Sequence, residues 1–382
     1  MGLSSFARSV IERAVSSQTA LLAEQQRAFR RALSLPLVVD TALRTRVGTT
    51  PHDVVFTSGT LRVLRYHRQT PALYAEPVIF CYALVNRPYI LDLQPDKSVV
   101  RKYLERGFDV YLIDWGVPTY RDRALTLEDY VCQRLASVID FVRSQHPAER
   151  VHLLGYCMGG TLSAMYTALH PEHVQTLTLL ATPIDFSGQE SLLKVWTDPR
   201  YFDVDALIDA HGNCPAPLLQ LSFLNMKPVQ NFLEKYIGFY EQMDDPRFLS
   251  NYFAMERWVN DNIPVAGETF REFVKKLYQS NELVRGVFHL GQRHVELRRI
   301  TCPLLALTAT NDHLVAPAST NGIRPHVGSA EVEQMTIDAG HVGLVVSGKA
   351  HKTLWPEATR WLMEHSSAPE RTRREGRSPG AN

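Results

Sequence analysis

Residues 151–166 read Val-His-Leu-Leu-Gly-Tyr-Cys-Met-Gly-Gly-Thr-Leu-Ser-Ala-Met-Tyr, and no other stretch limits the possible folds as much. An apolar run of strand length ends at Gly155, the reactive side chain of Cys157 follows two residues on, and small residues then open an apolar-periodic helix. This is the pattern of a sharp strand-to-helix turn carrying a nucleophile, with Cys where Ser is usual. Such a turn forces the nucleophile into a strained backbone conformation, and side chains at positions 155 and 159 would collide with the neighbouring strand and helix. The turn also aims the backbone N–H of Met158, at the positive end of the new helix, toward an oxygen that becomes negative during acyl transfer.

A G-x-C-x-G motif alone carries little weight, because it recurs by chance and a lone cysteine is more often a buried apolar filler. The order of the remaining elements supplies the weight. Residues 303–308 read as a buried strand running into Asn311 and Asp312, and residues 332–336 alternate like a further strand running into Asp338, Gly340 and His341. Nucleophile, acid and histidine in that sequence, the last two on loops after late strands, is the α/β-hydrolase arrangement. The expected fold is therefore a mainly parallel α/β-hydrolase sheet with an inserted, mainly helical cap. Cys157 is the candidate nucleophile, His341 the base that takes its proton, and Asp312 the acid that orients His341. Asp338, three residues before His341, is the rival acid; Asp312 is preferred because the acid loop follows the strand before the one leading to the histidine. His313 and His152 lack the late strand–loop position.

The pattern divides the chain into an N-terminal helical segment (1–49), a first part of the core (50–183), a cap (184–299), a second part of the core (300–365) and a disordered tail (366–382). Residues 5–35 form a basic helix with one apolar face, ended by Pro36. Residues 54–66 read as a hairpin flanking the sheet, and 78–82 and 110–114 as strands, with a helix at 98–106 capped by Gly107. A further helix starts at Thr126 and holds Cys132, read as an inert buried thiol. The loop after the 78–82 strand carries the second oxyanion donor in this fold, a backbone N–H around Val85 or Asn86. The cap is marked by more than a hundred residues without a sheet strand and by many aromatics, and it would exclude water from the acyl site. The tail holds Arg371, Arg373, Arg374 and Arg377 among Pro and Gly.

The 41 Lys and Arg residues nearly balance 40 Asp and Glu over 382 residues, so no charge footprint for nucleic acid or an anionic membrane exists. Five cysteines without C-x-x-C or Cys/His metal spacing fit a reducing compartment and no structural zinc, and no cofactor is expected. No apolar run reaches signal-peptide or transmembrane length, which makes a cytoplasmic protein the expectation.

Cys in place of Ser makes the acyl-enzyme a thioester. Exchange with a thioester substrate is then nearly balanced in energy, and the acyl group stays activated, which points to transfer from a coenzyme A thioester to a hydroxyl. With water kept out, transfer outpaces hydrolysis. The segments 155–160 and 89–95 with Asn86, together with 258–264, 311–315 and 340–343, resemble those of polyhydroxyalkanoate synthases, over roughly residues 50–365. Lacking a long N-terminal domain, the chain is most similar to the catalytic subunit of the two-component class III, or class IV, synthases. The resemblance implies polymerisation of (R)-3-hydroxyacyl-coenzyme A, typically 3-hydroxybutyryl, into a growing polyester chain with release of coenzyme A. It further implies that the aspartate matching Asp312 helps activate the 3-hydroxyl, that the cap opens, and that the protein forms a homodimer, binds a second synthase subunit and resides on cytoplasmic granules. Two other readings fit the motif: a cysteine hydrolase of the same fold, such as a dienelactone hydrolase or thioesterase, and a non-catalytic granule-associated protein.

Overall fold

The computed structural model describes residues 24–27, 29–31, 33–188, 192–227 and 234–368. The chain folds as two compact units, one of residues 1–46 with 227–257 and one of residues 47–226 with 258–382. The second unit is built on eight strands: β1 (His52–Ser58), β2 (Leu61–Tyr66), β3 (Val78–Cys81), β4 (Val110–Asp114), β5 (Val151–Tyr156), β6 (Val174–Leu180), β7 (Leu304–Ala309) and β8 (Val332–Ile337). They lie in the order β1-β2-β4-β3-β5-β6-β7-β8. The hairpin β1–β2 joins β4 antiparallel, and every pairing from β4 to β8 is parallel. All residues of β3, β4, β5 and β7 are buried, which is why these strands read as unbroken apolar runs: helices cover both faces of a parallel sheet.

The helices that follow the core strands are α1 (Val99–Glu105), α2 (Ala136–Ser144), α3 (Met158–Leu169) and α4 (Trp355–Glu364). Ser98 caps α1 by accepting the Arg101 N–H at 3.0 Å, and Gly107 leaves the helix with φ +88°. A π-helical turn, Asp129–Leu135, leads into α2, and its entry is closed by Thr126, whose N–H and hydroxyl both donate to Asp129 Oδ2 at 2.8 Å. Cys132 lies on that turn and is only half-buried.

Between β6 and β7 the described residues are mainly helical, with only a two-stranded ribbon of His289–Leu290 and Arg293–His294 and an isolated bridge between Cys214 and Val265. Val204, Ile208, Cys214, Leu219, Val265 and Val274 form a local apolar core in this region, against which Val85 packs. Polar ties anchor it to the sheet domain: Thr269 Oγ1 donates to the Leu125 carbonyl at 2.6 Å, and Asn281 Nδ2 to Asp185 at 2.9 Å.

The helical residues that precede Pro36 stop at a turn at Ser34, and Pro36 itself occupies the first turn of a new helix, Leu35–Arg44, where its missing N–H costs nothing and its fixed φ suits the start. Residues 366 and 367, at the start of the expected tail, make fixed contacts. Ser367 donates its N–H and hydroxyl to Glu76 at 2.9 and 2.7 Å, while Ser366 Oγ meets His152 Nε2 at 3.0 Å. Residues 5–23 of the basic helix and the arginines at 371–377 lie outside the described residues. No helix among the described residues is long and apolar enough to cross a membrane.

Candidate active site

The turn between β5 and α3 has the expected geometry. Cys157 sits at φ 53° and ψ −127°, a region an L-residue enters only under constraint. The glycines explain how the chain fits. A Cβ on Gly155 would stand 2.3 Å from the Gly160 Cα, one on Gly159 would stand 2.2 Å from the Cys81 carbonyl oxygen, and one on Gly160 would stand 1.9 Å from Thr182 Oγ1. The third glycine is therefore as necessary as the two in the motif. Because Gly159 touches the end of β3, the start of α3 abuts the loop that leaves β3 and contains Val85 and Asn86.

His341 and Asp312 come together from the loops after β8 and β7. His341 Nδ1 lies 2.7 Å from Asp312 Oδ2, with both side chains almost wholly buried. Asp312 Oδ1 accepts the N–H groups of Leu314 and Val315, each at 2.9 Å, which fixes the carboxylate. The bond to Asp312 keeps the Nδ1 proton in place and leaves the other ring nitrogen as the one that can exchange a proton with Cys157. Burial opposes charging of the His341 ring, but the charge and hydrogen bonds of Asp312 and Cys157 outweigh it and raise the pKa to about 10.

The alternatives fall elsewhere. Asp338 is exposed and is held by Asn311 Nδ2 at 2.7 Å and Lys349 Nζ at 3.4 Å. His152 is buried at the other end of β5 between Thr176 Oγ1 at 2.9 Å and Ser366 Oγ, and burial lowers its pKa to about 3. His313 adjoins the acid without sharing its bond to His341.

Three buried tyrosines that the sequence did not mark lie close enough for the Cys157 charge to act on them. Tyr156 stacks on the His341 ring at 5.2 Å and 23°. Burial pushes the phenols of Tyr82, Tyr156 and Tyr278 upward, and the charge of Cys157 adds to each. Their phenols stay neutral, and Tyr278 is contributed by the helical region between β6 and β7. Nothing in their spacing marked them, because a buried aromatic beside a strand looks the same in a core and in a site.

The expected oxyanion donors are arranged as follows. The Cys157 N–H is spent on the Leu180 carbonyl at 2.9 Å, whereas the Met158 N–H stands in the first turn of α3, where no helical carbonyl can receive it. Asn86 is buried in the left-handed region at φ 67°, and its Oδ1 accepts the N–H of Arg87 at 2.8 Å. Far from this site, at the start of β6, His170, Glu172 and His173 bring their ligating atoms within 4.8 Å of one another. Glu172 makes ion-pair contacts with both rings there, at 3.5 and 3.7 Å.

Fold and site together define a class. Residues 76–347 match the alpha/beta hydrolase fold family, and the structure resembles that of BpoC from Mycobacterium tuberculosis with a TM-score of 0.51 and 14% identity, covering 83% of this chain and 100% of that one. The chain is an α/β-hydrolase-fold protein. Residues 34–104 match the poly-beta-hydroxybutyrate polymerase (PhaC) N-terminus. The chain is 42% identical to the poly(3-hydroxyalkanoate) polymerase subunit PhaC of Haloferax mediterranei over 327 residues, which is 86% of this chain and 66% of that protein. It is 41% identical to the protein of the same name from Allochromatium vinosum, over 83% of this chain and 89% of that one. It belongs to the poly(3-hydroxyalkanoate) polymerase PhaC family and is an acyltransferase.

Proposed function

We propose that this chain polymerises (R)-3-hydroxyacyl-coenzyme A, with 3-hydroxybutyryl-coenzyme A as the leading substrate, through a thioester on Cys157. The observation that carries the reading is the Cys157, His341 and Asp312 constellation on a strained turn. In the first half-reaction the Cys157 sulfur, its proton passed to His341, attacks the acyl carbonyl. Coenzyme A leaves as a thiol with the proton that His341 returns. In the second, His341 takes the proton of a 3-hydroxyl, the freed alkoxide attacks an acyl thioester, and an ester bond forms as the thiol is regenerated. N–H groups of Met158 and of the Val85–Asn86 loop receive the carbonyl oxygen while it is negative. Asp312 holds the imidazole in its working tautomer, and we assign it the further duty of assisting the 3-hydroxyl. The boundaries read from the sequence, with a cap at 184–299 between core parts 50–183 and 300–365, fit this use, since a covered site favours an alcohol over water.

The relatives' name includes the word subunit, which supports a second subunit, and a homodimer and residence on polyester granules belong to the same reading as proposals. The test is direct. Purified protein is incubated with 3-hydroxybutyryl-coenzyme A, with and without a candidate partner subunit, and free thiol and insoluble polyester are followed. The expected result is stoichiometric coenzyme A release with polymer, abolished in Cys157→Ala. Free 3-hydroxybutyrate without polymer would identify a hydrolase, and labelled but non-turning-over Cys157 a scaffold.

A further inference from the structure

The loop after β3 is tied to a segment distant in sequence. Asn86 turns the chain through the left-handed region at φ 67°, and ties from outside the loop fix the residues that follow it. Those ties converge on one segment, 258–261. Trp258 Nε1 donates to the Arg87 carbonyl at 2.8 Å, Arg87 Nε donates to Asp261 Oδ1 at 3.2 Å, and the Tyr89 hydroxyl donates to Asp261 Oδ2 at 3.1 Å. The segment is itself closed into a turn, with the Asp261 N–H on the Trp258 carbonyl at 3.1 Å. One carboxylate thus grips the two residues, 87 and 89, that flank Pro88 just past the left-handed Asn86.

We propose that Asp261 is a positioning residue for the reaction, holding the 85–86 backbone N–H groups where the acyl oxygen becomes negative; this rests on reading that loop as the second half of the oxyanion hole. Stability is a poor explanation for the contact. The Asp261 side chain is 41% exposed and Arg87 is 26% exposed, and ion pairs at such sites contribute little to folding. A donor displaced from a developing oxyanion, in contrast, costs about 10²–10³ in rate, and a displacement near 1 Å about 10²-fold. Small energy in the fold and large effect on the rate is the signature of positioning.

The proposal predicts a split between two reactions of the same sulfur. Alkylation of Cys157 by iodoacetamide passes through no oxyanion, whereas acylation does. Asp261→Ala is expected to lower kcat for coenzyme A release about 10- to 100-fold, leave the Cys157 alkylation rate within about twofold, and leave the melting temperature nearly unchanged. Asp261→Asn, which still accepts one hydrogen bond, is expected to recover part of the rate. Unchanged acylation overturns the assignment, as does an equal fall in acylation and alkylation, which would mean general damage to the site. Formation of the acyl-enzyme from an activated acyl thioester, followed by mass spectrometry, is measured alongside. A wild-type chain that acylates on Cys157 but makes no polymer counts against the proposed function, and the Asp261 comparison is still decided on acylation alone.

Discussion

At the scale of the residue, the division of labour between two aspartates is the sharpest consequence of the geometry. Asp312 is buried, fixed by two N–H groups and bonded to His341, whereas Asp338 is exposed and bound to Asn311 and Lys349. Asp312→Asn is therefore expected to lower kcat by about 10³–10⁴-fold, because the ring loses its tautomer and its counter-charge. Asp338→Asn is expected to stay within a few-fold of wild type. Steady-state kinetics on the two variants decide the matter, and the reverse result would move the acid to position 338. Both aspartates were visible beforehand, and the order of strands favoured the right neighbour of His341. The three tyrosines near Cys157 were not visible, since their placement depends on which strands lie side by side.

At the scale of the element, the turn between β5 and α3 works only because three glycines let helix, strand and loop approach within backbone contact. Gly159→Ala would place a methyl 2.2 Å from the Cys81 carbonyl and Gly160→Ala one 1.9 Å from Thr182. The neighbours are backbone or tightly packed side chain, so helix α3 has to move, and each variant is expected to lose about 2 kcal/mol or more together with most activity. Urea midpoints and Cys157 alkylation rates measure both; wild-type values for either variant would refute the packing account. The motif exposed the glycines at 155 and 159, because their spacing around a nucleophile is local. It could not expose the reason for Gly160, whose obstacle is Thr182, 22 residues further along. Pro36 shows the same limit from the other side, since proline ends one helix or begins the next according to context.

At the scale of the whole molecule, two buried histidines set opposite limits on stability. His152 has its pKa lowered from 6.5 to about 3 by burial, so the folded state resists a proton that the unfolded chain accepts. Its contribution is full above pH 6.5 and is lost as the pH falls toward 3, on the order of 3 kcal/mol between pH 6.5 and 4. His341 has its pKa raised to about 10, so its contribution is full below pH 6.5 and is lost as the pH rises through 10. Denaturation midpoints against pH should show a shallower acid limb in His152→Gln; an identical slope would remove His152 from the account. A chain ended at residue 365 loses the contacts of Ser366 and Ser367 with His152 and Glu76, and it is expected to melt several degrees below one ended at 368. The sequence by itself determined the fold class and the order of strands along the chain, and it singled out Cys157, Asp312 and His341 as candidates, because strand-length apolar runs, a glycine-flanked turn and chain order are local properties. Only the tertiary structure decided that Tyr278 lies near Cys157, that Ser366 and Ser367 are pinned and that Asp261 grips the loop after β3. Those facts depend on distances between residues far apart in the chain, which packing alone creates.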